Sequence, residues 1–181
     1  WFGKNKISYI DCCDANFGIF IERDSSIAKK LSEVSYEHGF PKTFRPNWAK
    51  FSSEKIIPIA KELQKNGLLR AITLSVQSLD ETTLKIIKRE NMKFKKFSEL
   101  SSSFYENGIP TYSEIILGLP GETLESFKNG LQIIASDTKI DTIQIYHCGV
   151  LPNAPMNDVS YLKEFNIKKI KSPLSSTHSK I

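Results

Sequence analysis

From Ile7 onward the chain alternates between short apolar runs rich in β-branched and aromatic residues and longer stretches with apolar residues three or four apart. The first pattern fits strands and the second fits amphipathic helices. "ISYIDCCDANFG" reads as a strand ending in a polar turn, and "SSIAKKLSEVSYEHG" as a helix whose N-cap comes from Asp24, Ser25 and Ser26. "PKTFRPNWAK" is a shorter, weaker strand. "SSEKIIPIAKELQKNG" has helical spacing with Gly67 placed as a C-cap, and Pro58 predicts a kink or a late start. "LLRAITLSVQS" is a third strand, after which Asp80 caps a helix through "ETTLKIIKR". A further helix, "KFKKFSELSSSFYENG", stops at Gly108, and the strand "IPTYSEIILGLP", the helix "TLESFKNGLQIIAS" and the strand "DTIQIYHCGVLP" follow. The order is β-α-β-α-β-α-α-β-α-β.

Strands near residues 10, 44, 73, 115 and 144 separated by helices argue for an α/β fold, a parallel sheet with helices on its outer face. Their spacing of about 30 to 40 residues suits barrel-type units. A complete eight-fold barrel takes about 250 residues, so about five strands point to a partial (β/α) barrel; a doubly wound open sheet is the alternative. Residues 1–153 make this unit. After Pro152 the pattern fades, and residues 154–181, with the polar "SPLSSTHSKI", read as an extension or linker. The chain opens on Trp1 and enters its first strand within a few residues, which looks like a piece of a longer protein.

Composition then narrows the classes. A chain of 181 residues, 40% hydrophobic and 25% charged, has enough apolar material for one domain with a core. No apolar run approaches the roughly 20 residues that cross a bilayer, and no signal-peptide pattern opens the chain. The expectation is a soluble, cytoplasmic protein without a membrane partner. Cys12, Cys13 and Cys148 match neither a disulfide framework nor a zinc spacing and fit a reducing compartment. The adjacent pair should point to opposite faces of its strand, in buried structural roles. The net charge of +5 reads as a solvated lysine-rich surface, with a nucleic-acid patch left open.

In a parallel barrel the chemistry sits at the C-terminal ends of the strands. Those ends carry Asp14, Ala15 and Asn16; Asn47 and Lys50; Ser75, Gln77 and Ser78; Glu114 with Gly118; and Tyr146 with His147. Glu114 stands apart, because Ile115, Ile116 and Leu117 follow it and an inward carboxylate is costly unless something pairs with it. An internal salt bridge to Arg89 is one reading. Gly118, Pro120 and Gly121 form an elbow before a helix N-terminus, either an anion-receiving turn or a plain βα turn. His147 is either catalytic or a packed or surface histidine.

"LSVQSLDETTLKIIKREN" followed by "SEIILGLPGET" resembles the core of the radical S-adenosylmethionine (SAM) superfamily, in the branch of methylthiotransferases, oxygen-independent coproporphyrinogen oxidase and cobalamin-dependent radical enzymes. In that branch a strand glutamine, an arginine 12 residues later and an acidic residue 25 beyond it contact SAM; the matching positions are Gln77, Arg89 and Glu114. The resemblance implies that Gln77 bonds the ribose or methionine part, Arg89 the methionine carboxylate and Glu114 the ribose hydroxyls. Ile116 would pack on adenine and Gly118 would permit close approach, while "YHCGVLPN", with Tyr146, would offer backbone groups to the adenine edge. "DANFG" replaces the family's Gly-Gly-Glu turn, so Asp14, Ala15 and Asn16 would meet the methionine amino group. Ser75 lies with Gln77 on the same strand. Asn47 and Lys50 stand where relatives often carry a glutamate.

The family's Cys-x-x-x-Cys-x-x-Cys loop, which holds a 4Fe-4S cluster, has no counterpart here, and the resemblance places it ahead of Trp1. By family analogy the full protein would cleave SAM reductively to a 5′-deoxyadenosyl radical. It would draw on an electron donor such as flavodoxin or ferredoxin and act on a substrate the sequence leaves unnamed. "DANFGIFIERD" and "LPNAPM" resemble enzymes that follow a cobalamin-binding domain and methylate carbon. A methylthiotransferase-like, RNA-modifying enzyme and a barrel that binds without radical chemistry are the alternatives.

Overall fold

The computed structural model describes residues 1–49 and 53–170. Parallel strands alternate with helices: β1 (Tyr9–Asp11), α1 (Ile21–His38), β2 (Thr43–Arg45), α2 (Ile57–Gln64), β3 (Ile72–Thr73), α3 (Glu81–Ile86), α4 (Phe94–Glu106), β4 (Thr111–Leu117), α5 (Leu124–Asp137), β5 (Thr142–His147) and α6 (Val159–Glu164). The expected order holds through β5, and the architecture is a partial (β/α) barrel. Beyond it the chain does not stay irregular. A 3-10 turn at Pro155–Asn157 leads into α6, where the Tyr161 ring and that of Phe165 pack with centroids 4.6 Å apart. Six residues hold too few helical repeats to register as periodicity, so the sequence reading misses this helix. The tract "SPLSSTHSKI" lies outside the described residues.

The strands form two ladders, β1–β2 and β3–β4–β5, instead of one sheet. Pro46 follows β2 directly and has no N–H to extend a ladder. Across the gap, Phe44 N–H donates to the Leu68 carbonyl at 2.8 Å. Within the larger sheet the register sets Glu114 beside Gln144 and Ile116 beside Tyr146.

Local signals place most helix ends. Asp80 caps α3 as expected, accepting from Thr83 N–H at 2.6 Å, and Pro58 sits in the first turn of α2, where no partner for its missing N–H is needed. The expected cap of α1 is corrected: the helix begins at Ile21, ahead of Asp24. Asp24 is fully buried, and its carboxylate accepts from Gly18 N–H and from Arg23 Nε, each at 2.7 Å. It ties the turn after β1 to the first turn of α1, where a negative charge suits the helix dipole.

Alternation along the strands sorts the side chains. Phe44, Ile72, Leu74, Val76 and Ile115 pack with Ala28, Ile59, Leu63, Phe97, Phe104 and Ile134 of the helices into one core. Each large apolar side chain buried this way contributes about 1.5–3 kcal/mol. Tyr9, Arg45, Thr73, Tyr112, Glu114, Gln144 and Tyr146 line a cavity on the concave side. Cys12 packs against the core, but Cys13 is exposed, which corrects the buried role expected for it.

Candidate functional site

The backbone at the end of β3 is the first element of the site. Gln77 takes φ of 60°, in the left-handed region that costs a non-glycine residue about 1–2 kcal/mol. Two hydrogen bonds to β4 hold it there: Gln77 N–H donates to the Glu114 carbonyl at 3.0 Å, and Ile116 N–H to the Gln77 carbonyl at 2.8 Å. Two residues earlier the Ser75 hydroxyl donates to the Glu114 carboxylate at 2.9 Å, orienting it. Arg89 is delivered by the end of α3. Lys88 adopts φ of 52° and donates its N–H to the Lys85 carbonyl, while Arg89 N–H reaches back to the Leu84 carbonyl at 2.9 Å. This is a Schellman closure with lysine in the usual place of glycine.

These segments meet at a cleft of about 310 Å³ lined by Ala15, Asn16, Asn47, Trp48, Ser75, Gln77, Arg89 and Glu114, among others. The structure therefore brings together residues from the ends of β1, β2, β3 and β4. Ile116 lies next to it, in a pocket that Gln77 and Arg89 also line with Cys148 and Met156. Gly118 sits one step further, at φ of 86°, where an added Cβ would come within 4.0 Å of Cys148 Cβ. Tyr146 is on the other side, in a larger cavity that shares Glu114, and its hydroxyl donates to Gln144 Oε1 at 2.5 Å. Asp14 is engaged elsewhere: its carboxylate accepts from Asn16 N–H at 2.9 Å and pairs with Arg23 at 2.6 Å. The Asn16 amide and the Arg23 guanidinium hold its carboxyl below the usual carboxylate range. Lys50 lies outside the described residues, and His147 lines a separate pocket with Gly118.

The electrostatics separate two readings of Glu114. Among the described residues no salt bridge within 4.0 Å joins it to Arg89, so the internal ion pair is not formed. Arg89 donates from Nε to Asn91 Oδ1 at a long 3.3 Å. Burial pushes its pKa down and the field of Glu114 opposes that shift, as expected for a partly desolvated cation without a contacting anion. The Tyr146 phenol is raised by burial first, then by Glu114 and Tyr112, so it stays neutral.

The "GLPGET" elbow acts as a turn. Thr123 and Ser126 form a capping box at the start of α5, in which the Thr123 hydroxyl takes up the Ser126 amide. Glu122 accepts from the Ser78 hydroxyl at 2.6 Å, and its other oxygen is buried with no partner among the described residues. Burial, and secondarily Asp80, raises its pKa above the ordinary 4.5 against the lowering effect of Ser78. A carboxyl whose folded pKa is raised favours folding when protonated, so this contribution is present below about pH 4.5 and lost as pH rises through the raised value. Glu122→Gln, which keeps an acceptor for Ser78, should therefore be more stable than the parent at pH 8 and little different at pH 4. Urea midpoints across that range measure this; identical curves for the two proteins at every pH would contradict it.

Sequence reasoning missed Arg45, Thr73 and Tyr112, all of which line the cleft. The signal was present, since each lies two positions before a residue already singled out, on the same face of its strand. No helix among the described residues is long and apolar enough to cross a membrane.

Residues 50–134 match the family model of the Radical SAM superfamily. The chain carries a radical SAM domain. Over 170 residues, 94% of its length, it is 35% identical to the cobalamin-dependent radical SAM methyltransferase TokK of Streptomyces tokunonensis and equally to the 2-(S-pantetheinyl)-carbapenam-3-carboxylate methyltransferase of Streptantibioticus cattleyicolor. It spans about a quarter of the length of each of these curated relatives, 25%. Among solved structures, the radical SAM methyltransferase TsrM of Kitasatospora setae, with cobalamin and a 4Fe-4S cluster bound, superposes with a TM-score of 0.59 at 16% identity, over 86% of this chain and 30% of that one. At that identity the likeness speaks for the fold: a radical SAM barrel of which this chain has part.

Proposed function

We propose that this chain is the SAM-binding part of a radical SAM methyltransferase of the cobalamin-dependent kind. The observation that carries the proposal is the cleft in which Arg89 and Glu114 stand without pairing with each other. A guanidinium offers a planar fork for a carboxylate, and a carboxylate offers acceptors to a vicinal diol. SAM has both groups, at opposite ends.

The residues present fit this cofactor. Arg89 would hold the methionine carboxylate, Glu114, oriented by Ser75, the ribose hydroxyls, and Gln77 would stand between them. Ile116 and Gly118 would border the adenine, with Gly118 leaving room that a side chain would take. Asn16 and Ala15 are at the cleft for the amino end; Asp14, already bonded to Arg23, would act by holding that turn. Trp48 adds a buried indole Nε1 with no hydrogen-bond partner among the described residues. When bound, SAM supplies the carbon–sulfur bond on which the chemistry depends, and the chain's part is to position it and limit water around it.

A 4Fe-4S cluster does not fit the described residues, since no group of three His, Cys, Asp or Glu there is placed to hold a metal. Its ligands, the cobalamin site and the substrate's larger contacts are assigned to other parts of the full protein, with a flavodoxin- or ferredoxin-like electron donor. The three free thiols suit a reducing, cytoplasmic setting. Glu114→Ala should weaken binding of S-adenosylhomocysteine, a stable analogue with the same ribose, about 10- to 100-fold, corresponding to loss of charged hydrogen bonds worth about 1.5–3 kcal/mol. Isothermal titration with the full native protein measures it. Unchanged affinity in a folded variant would remove the diol contact.

A further inference from the structure

The concave face holds a second cavity, about 570 Å³, lined by Tyr9, Arg45, Tyr112, Gln144 and Tyr146 among others. It joins the cofactor cleft, since Arg45, Thr73, Tyr112 and Glu114 line both. That volume suits a small molecule. The ladder register accounts for the arrangement: Asp11 and Arg45 are cross-strand neighbours on one side, Glu114 and Gln144 on the other.

Arg45 is the feature that the cofactor reading leaves over. SAM carries one carboxylate, and Arg89 is placed to take it. Arg45 has no carboxylate within 4.0 Å among the described residues, although Asp11 is its register partner and Glu114 lines the same cavity. Tyr9 lines the same cavity and is the first of the groups that raise the Arg45 pKa, ahead of Asp11 and Tyr112. A guanidinium has five N–H donors, so one tyrosine oxygen leaves most of the fork open. The Tyr112 ring and that of Tyr146 add flat apolar faces with hydroxyl tips.

We propose that this cavity is the substrate subsite, that its occupant is a small molecule bearing a carboxylate, and that Arg45 is the residue that binds that carboxylate and so orients the substrate toward the cofactor. This rests on the SAM reading of the adjoining cleft. A planar fork meeting a carboxylate gives two parallel hydrogen bonds and therefore fixes direction as well as affinity. A substrate anchored there extends toward Glu114, the residue common to the two cavities.

The test uses the full native protein saturated with S-adenosylhomocysteine, with 4-fluorobenzoate as the probe and 4-fluorobenzamide as its neutral isostere, both followed by fluorine NMR. The benzoate is expected to bind and the benzamide to bind at least tenfold more weakly. Arg45→Ala should lose benzoate binding at least tenfold, and Arg45→Lys, which keeps the charge, should recover part of it, each measured with S-adenosylhomocysteine kept saturating. Benzoate binding equal in parent and Arg45→Ala, or benzamide binding as well as benzoate, would overturn the proposal. Failure of the parent to bind S-adenosylhomocysteine would instead count against the cofactor reading, so the two failures are distinct.

Discussion

Arg89→Ala is expected to weaken S-adenosylhomocysteine binding about 100-fold while leaving the domain folded. Removing one partner of a desolvated charge pair costs about 2–5 kcal/mol, and each 1.4 kcal/mol is tenfold in affinity. Little of that loss should appear as instability. Among the described residues the Arg89 side chain makes a single long hydrogen bond, to Asn91, while the closure of α3 is made by its backbone N–H, which alanine retains. Arg89→Lys keeps the charge but not the fork and should fall between the two. Calorimetric titration measures the affinity and a thermal melt the fold. An intact variant that binds as the parent does would remove Arg89 from the site.

Phe17→Ala should produce the largest loss of stability, about 3–5 kcal/mol out of the 5–15 typical of a whole domain. Phe17 is 1% exposed, and its ring packs edge-on against Phe44 at 5.5 Å and Trp48 at 5.4 Å between centroids. Its N–H also donates to the Asn47 carbonyl at 3.0 Å, joining the turn after β1 to the segment after β2. Gly18 leaves this cluster no slack: a Cβ there would sit 2.9 Å from Ile56 Cγ2. Truncating the ring leaves a cavity under the turn that presents Ala15 and Asn16, so weaker cofactor binding should accompany the lower urea midpoint. A midpoint within experimental error of the parent would show that the aromatic cluster does not hold this end of the barrel.

The residues that carry the site differ in how far the sequence reveals them. Gln77, Arg89 and Glu114 are legible as a set because their order and spacing match the pattern of the superfamily that the sequence resembles. Glu114 announces itself as a charge in an apolar run. Arg45 and Tyr112 are less legible, because an arginine before a proline or a tyrosine in a strand has an ordinary explanation, and only the two-residue spacing from Asn47 and Glu114 hints at the concave face. Asp24 misleads in the opposite way: it looks like a helix cap, yet a backbone amide six residues earlier, on Gly18, competes for the carboxylate and wins. The break between β2 and β3 is foreshadowed by Pro46, whereas the short α6 depends on tertiary packing, with the Tyr161 hydroxyl donating to the Ile86 carbonyl at 3.2 Å. Cys13, expected in a buried role, is exposed two residues past the end of β1 at Asp11.

The central claim is that Arg89 and Glu114 hold the two ends of one SAM molecule. A crystal structure of the native protein with SAM bound tests it most directly. The account predicts the methionine carboxylate within about 3.2 Å of the Arg89 guanidinium and a ribose hydroxyl at similar distance from Glu114. SAM bound elsewhere, or in this cleft with its ribose turned away from Glu114, would contradict it.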